Sequence, residues 1–134
     1  MGMDLKTAEA ILKKAVSKSE ELDICVAIAI FDSESELVLF QRMDDTPELC
    51  VKLSQAKALT ALKLKDDTDK FSYLVTKNTG ILSNVRYEGS ISLIGGGKII
   101  TENGSIIGAL GISGGTEEQD VEVAAFAVSG LLSA

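Results

Sequence analysis

Apolar positions recur every three or four residues from the start of the chain. Leu5, Ala8, Leu12, Ala15 and Val16 line one face of a helix that Asp4 can cap and that runs to about Ser19. The pattern then changes. Ile24 to Phe31 is apolar at every position between Asp23 and Asp32, which predicts a strand covered on both faces. Asp32-Ser33-Glu34-Ser35 is a turn, and Glu36 to Arg42 alternates as the returning strand of a hairpin. Thr46-Pro47 sets a capping residue before a proline at the first helical position, and the helix it opens reaches Lys65. At 3.6 residues per turn, Leu49, Ala56, Lys57, Thr60 and Leu64 fall on the same side of that helix as Leu53.

Beyond Asp66 the period weakens. Thr68 can cap a short helix carrying Phe71, Leu74 and Val75; 78–90 reads as a loop, and a short strand is expected near Ile91 to Ile94. The stretch Gly95 to Gln119 then organises the remainder. Lys98 to Glu102 and Ser105 to Ile112 are strands joined by Asn103-Gly104, a pair suited to a type I′ hairpin turn. Thr116-Glu117-Glu118-Gln119 is a capping box, and the last helix is expected from Thr116 to about Leu132. Val121, Ala124, Ala125, Val128 and Leu132 make one apolar face of it; Val123, Phe126 and Ala127 make the opposite one. A helix apolar on both sides needs two covers, and a second copy of the protein is the expected second cover.

Composition narrows the classes. A chain of 134 residues with 46% hydrophobic residues and one proline is expected to form one domain over 1–134. A net charge of −7 and 4% aromatics count against nucleic acid and anionic membranes as partners. Met1-Gly2-Met3-Asp4 lacks a signal-peptide pattern, and no apolar run is long enough to span a bilayer, so a cytoplasmic location is expected. Cys25 and Cys50 lack metal-ligand spacing and read as buried or half-buried thiols. No histidine is present, which excludes Ser-His-Asp and Cys-His catalysis, HExxH zinc sites and histidine-ligated haem. No metal site is expected.

The glycines of Gly95 to Gly115 match neither a dinucleotide fingerprint nor a phosphate-binding loop. Glu117, Glu118 and Asp120 would repel an anion from the amides at the last helix's start. The glycines serve either tight turns and close backbone approach, or the floor of a pocket. Lys57, inside an apolar stripe, either snorkels its ammonium to the rim or faces a polar pocket.

Arg42-Met43-Asp44, Lys57-Ala58-Leu59-Thr60-Ala61, Gly95-Gly96-Gly97, Ile107 to Thr116 and Gln119-Asp120 occur in order. Together they resemble the GlcG/HbpS-like family, which includes the C-terminal domain of PduO-type cobalamin adenosyltransferases. The resemblance implies a profilin-like α/β fold of the α+β type, with a five-stranded antiparallel sheet, helices on both faces, and assembly into oligomers. It also implies links to glycolate or diol utilisation and, in some members, to haem. This chain departs from the pattern at Glu34, Ser35 and Asp45, where the family usually has glycine, and at Ile99, where it usually has proline. It also lacks the histidine on which haem binding in PduO-type members looks dependent.

The leading expectation is a non-catalytic, oligomeric domain that binds a small organic acid, with Arg42, Asp44, Lys57, Thr60, Gly96 and Gly97 around the ligand and no cofactor required. Arg42 would clasp a carboxylate in a bidentate contact, or else Arg42 and Asp44 form a salt-bridged strand end. Two alternatives stand beside it. One is a haem-binding protein using Met43, Cys50, Tyr73, Tyr87 or Lys57 on the iron. The other is an enzyme with Lys57 as base or Schiff-base nucleophile and Asp44 as its partner.

Overall fold

In the computed structural model, residues 2–71, 73 and 91–131 are described. Four strands, β1 (Ala27–Asp32), β2 (Leu37–Arg42), β3 (Gly97–Glu102) and β4 (Ser105–Ser113), form an antiparallel sheet in the order β2-β1-β4-β3. Three α-helices cover it: α1 (Leu5–Glu21), α2 (Leu49–Leu64) and α3 (Glu117–Val128), with a 3₁₀ turn at Thr68–Phe71. The mixed α+β class and the helices on both faces agree with expectation. The sheet differs from it, having four strands among the described residues rather than five. Ile91 to Ile94, expected as a short strand, is irregular, because its backbone bonds to threonine side chains instead of a strand. The Ser92 amide donates to Thr60 Oγ1 (2.9 Å), and the Ile94 carbonyl accepts from Thr68 Oγ1 (2.8 Å). The expectations for Leu74, Val75, 78–90, Tyr87 and Leu132 lie outside the described residues.

Strand β1 is buried at Ala27 to Phe31, as an all-apolar strand between two layers must be. Its alternation sorts the core. Val26, Ile28 and Ile30 pack with Leu110 and Ile112 against Ile11 and Ala15 of α1 and Val123 and Ala127 of α3. Ala29, Phe31 and Ala109 face Ala58 and Ala61 of α2. On the α2 side the sheet is paved with small residues, and Gly97 of β3 stands opposite Gly111 of β4. A Cβ on Gly111 would run into the Ser54 carbonyl and come within 2.9 Å of the Ala58 nitrogen. Glycine here serves close approach, letting α2 lie directly on the strands.

That approach rotates α2 from the expected phase. Ser54, Lys57, Ala58 and Ala61 face the sheet, while Leu49 is 76% exposed, and Leu49, Leu53 and Ala56 line an open groove. The two-sided apolarity of α3 has its explanation within the chain. One side lies on the sheet, and α1 packs along the helix on the other, with Lys14 Nζ 4.9 Å and Lys18 Nζ 5.4 Å from the Phe126 ring centre. Ala125 and Phe126, the latter 40% exposed, stay outside that cover.

The local signals at three element ends form as expected. Asp4 Oδ1 accepts from the Thr7 amide (2.8 Å), Thr116 and Gln119 close a reciprocal capping box, and Asn103 and Gly104 both have positive φ. Thr46 does not cap α2: its Oγ1 is buried with no hydrogen-bond partner, and the helix begins at Leu49.

Candidate functional site

The six residues expected around one ligand occupy two separate environments. Lys57, Thr60, Gly96 and Gly97 belong to the packed interior, and Arg42 and Asp44 belong to a surface groove.

Lys57 is 1% exposed. Its ammonium donates to the Ile112 carbonyl at the end of β4 (2.8 Å) and to Asp120 Oδ2 on α3 (3.1 Å). Snorkelling is thus replaced by inward pairing, because helix α2 lies too close to the sheet for this stem to reach the rim. Asp120 Oδ1 accepts in turn from the Gly115 amide (2.9 Å), so the pair ties α2, β4 and the start of α3 at one point. Burial pushes the Asp120 carboxyl above its ordinary range, and the neighbouring Lys57 charge and the Gly115 N–H oppose that rise. Gly96 closes over the ammonium, since a Cβ there would stand 2.9 Å from Lys57 Nζ. With φ at +125°, Gly96 also adopts a conformation that other residues rarely take. A Lys57 so enclosed faces a carbonyl, a carboxylate and a glycine, with Asp120 rather than Asp44 as its partner.

Thr60 is equally internal, donating to the Ala56 carbonyl (2.6 Å) and accepting from Ser92. The Gly97 amide donates to Thr68 Oγ1 (3.0 Å), so it is not free for a ligand. Thr68 joins the 3₁₀ turn to the glycine stretch rather than capping a helix. The acids of α3 likewise bind the chain's own backbone: Glu117 Oε2 accepts from the Gly95 amide (2.8 Å). The amides of Gly95, Gly97 and Gly115 are thus taken up internally.

Arg42 ends β2, and its Nε donates to the Thr46 carbonyl (3.0 Å). Among the described residues no carboxylate pairs with it, so the expected alternative of a salt bridge to Asp44 does not form. The guanidinium is held at one nitrogen with the rest of its fork outward. It lines an open groove of about 640 Å³ with Val16, Ile24, Cys25, Met43 and Asp44. The sulfur of Met43 accepts from the Val26 amide (3.4 Å), which fixes the side chain between sheet and groove. Glu20, Asp23 and Asp45 complete the rim. Cys50 is buried in the first turn of α2, and Tyr73 is 55% exposed away from this rim.

Sequence reasoning missed Asp120 as the partner of Lys57, although a lysine in an apolar stripe calls for a buried acid and Asp120 stands in the Gln119-Asp120 motif. It also missed Cys25, which lines the same groove as Met43.

Among the described residues no helix is long and apolar enough to cross a membrane. The family model described as "Haem degrading protein HbpS-like" matches residues 3–129. The corrinoid adenosyltransferase PduO of Citrobacter freundii is 29% identical over 132 residues, 98% of this chain and 39% of that protein. The chain thus spans well under half of that relative. Protein GlcG of Escherichia coli strain K12 is 34% identical over 106 residues, 79% of this chain and 77% of GlcG. A crystal structure titled as a PduOC:heme complex superposes with a TM-score of 0.88 at 29% identity, covering 96% of this chain and 94% of that one.

Proposed function

The chain belongs to the HbpS-like family, and we propose that it acts as a non-catalytic small-molecule-binding or accessory domain whose ligand is held in the Arg42 groove. The observation that carries this reading is the guanidinium itself, anchored at Nε on the Thr46 carbonyl and, among the described residues, without a carboxylate partner. A planar fork fixed in that way is prepared for a bidentate carboxylate contact. Asp44, with Glu20, Asp23 and Asp45, confines an anionic group to the arginine end of the groove.

Haem is the first ligand this groove supports. Its donor set fits: Cys25 and Met43 offer soft sulfur to iron, Val16 and Ile24 give apolar walls, and Arg42 offers a partner for a propionate. The likeness to a protein solved as a haem complex adds weight. Lys57 and Cys50 are withdrawn into the interior and take no part in this reading. Bound haem would supply a redox-active iron; the chain's own residues would position and shield it. A small organic acid such as glycolate is the second reading, favoured by the Arg42 guanidinium at the groove. The setting proposed for either is cytoplasmic, in glycolate or diol metabolism.

Hemin titration followed in the Soret band tests the first reading. A saturable shift that weakens in Met43→Leu, Cys25→Ala and Arg42→Ala is expected; no saturable shift would end it. Calorimetric titration of glycolate and lactate tests the second, and equal binding by wild type and Arg42→Ala would remove Arg42 from the site.

A further inference from the structure

The tip of the β3–β4 hairpin carries a reactive pair that the ligand groove does not use. Asn103 and Gly104 form the two-residue turn between Glu102 and Ser105, which face each other in the register, and both turn residues are exposed. Their φ angles are +54° and +84°. In such a turn the closing hydrogen bond belongs to the flanking residues, so the amides of the two central residues are left to solvent. Among the described residues neither the Asn103 side-chain amide nor the Gly104 N–H has a hydrogen-bond partner. A Cβ built on Gly104 would meet nothing within 4 Å, so the surroundings of this residue are open.

A free side-chain amide followed by a free, uncrowded backbone nitrogen can react with it. The Gly104 nitrogen gives up its proton to base and attacks Asn103 Cγ. The new N–Cγ bond closes a five-membered imide, and the bond from Cγ to the amide nitrogen breaks, releasing ammonia. Water then opens the ring at either carbonyl. Cleavage of the new N–Cγ bond leaves an aspartate at 103 with the main chain unaltered. Cleavage of the original peptide bond leaves an isoaspartate, with the main chain rerouted through Cβ and Cγ. Either route consumes a water, releases an ammonia and adds a negative charge, with no oxidant or reductant. Glycine in the second position favours the attack because its nitrogen has no neighbouring Cβ to crowd it. The other two asparagines differ in this respect: Asn78 precedes Thr79 and Asn84 precedes Val85, both β-branched.

We infer that Asn103 is a site of spontaneous deamidation, driven at the hairpin tip by the Gly104 backbone nitrogen, and that it is the first asparagine of the chain to convert. The two products act differently on the sheet. Aspartate visits the left-handed region much as asparagine does, and it keeps the turn. Isoaspartate adds a methylene to the main chain of a turn whose length sets the strand register, and it loosens the pairing of Glu102 with Ser105 and of Thr101 with Ile106. The tip stands at the opposite end of β4 from Ser113, whose partner Ala27 also pairs with Arg42. Conversion therefore leaves the Arg42 groove as it was.

Ageing the folded, ligand-free protein in mildly alkaline buffer, with peptide mapping by mass spectrometry over several days, tests this independently of the ligand reading. The mass gain of an amide nitrogen exchanged for oxygen is expected at Asn103 severalfold faster than at Asn78 or Asn84, with a matching acidic band on isoelectric focusing. Gly104→Ala should slow it severalfold, and Asn103→Gln should abolish the early acidic band. The isoaspartyl fraction should melt below Asn103→Asp, which carries the same charge on an unaltered main chain. Conversion at Asn103 only after unfolding in urea, equal rates at the three asparagines, or a rate indifferent to Gly104→Ala would each overturn the inference.

Discussion

Lys57 and Asp120 form an ion pair of 3.1 Å with both side chains almost wholly withdrawn from water, at 2% and 4% exposure. The pair joins α2 to α3 through the end of β4. Breaking a buried pair by removing one partner leaves an uncompensated charge, at a cost of about 3–5 kcal/mol. Lys57→Ala should lower the unfolding free energy by that amount in urea, with Asp120→Asn smaller because the amide keeps its size and polarity. A loss of less than about 1 kcal/mol for Lys57→Ala would show that the site is hydrated rather than closed.

The pH response of this pair follows from the raised Asp120 carboxyl. A carboxyl that titrates higher folded than unfolded binds its proton first in the folded state, so its contribution to stability is fully present below the unfolded value and is lost as pH rises through the folded one. The difference in stability between wild type and Asp120→Asn should therefore move in favour of wild type as the pH falls from 7 toward 4. Asp4 and Asp66, held below their ordinary range chiefly by the Thr7 amide and by Lys70 respectively, act oppositely, and what they add is lost at still lower pH. A difference that is flat or falls over that interval would contradict the assignment.

Ser35 and Asp45 both have φ of +67°, in the left-handed region that favours glycine. These are positions where the family resemblance leads one to expect glycine. Ser35→Gly and Asp45→Gly should each raise stability by about 0.5–1 kcal/mol, the gain from relieved Cβ crowding less the entropy of an added glycine. Thermal unfolding reads the change, and a lowered melting temperature for Ser35→Gly would refute the argument.

Gly111 admits no side chain, because a Cβ would drive into the Ser54 carbonyl of α2. Gly111→Ala should cost about 3 kcal/mol or more, at the upper end of overpacking, and lift α2 from the sheet. Gly104, with open space around it and a positive φ of 84°, separates the two causes. Gly104→Ala should cost about 1 kcal/mol from backbone strain alone. Equal losses at the two positions would leave the close approach of α2 without energetic weight.

Near-neighbour signals were legible at three element ends. The Asp4 cap, the Asn103-Gly104 turn and the Thr116–Gln119 box act within a few residues, and each forms where the local pattern places it. The all-apolar run ending at Phe31 also announces its two covering layers. Of the six residues named from the sequence, Arg42 and Asp44 line one groove, whereas Lys57 is drawn away from it. Its partners Ile112 and Asp120 lie 55 and 63 residues further along, and no local period reports such pairings. Thr46 misled for a related reason, since its position before proline resembles a cap while the fold buries its hydroxyl without a partner. The phase of α2 was misjudged because hydrophobicity alone places Leu53 inward, whereas the glycine-paved strands select the smallest face of the helix.

The capped β3 edge sets a limit on growth. A strand edge whose outward amides already bond to side chains has fewer donors left for another strand to use. Asp67 and Thr68 hold the amides of Ile99 and Gly97, so these two donors are already used within the chain. Freeing those amides by Asp67→Ala and Thr68→Val would leave two backbone donors on this edge unpaired and open it to strand addition.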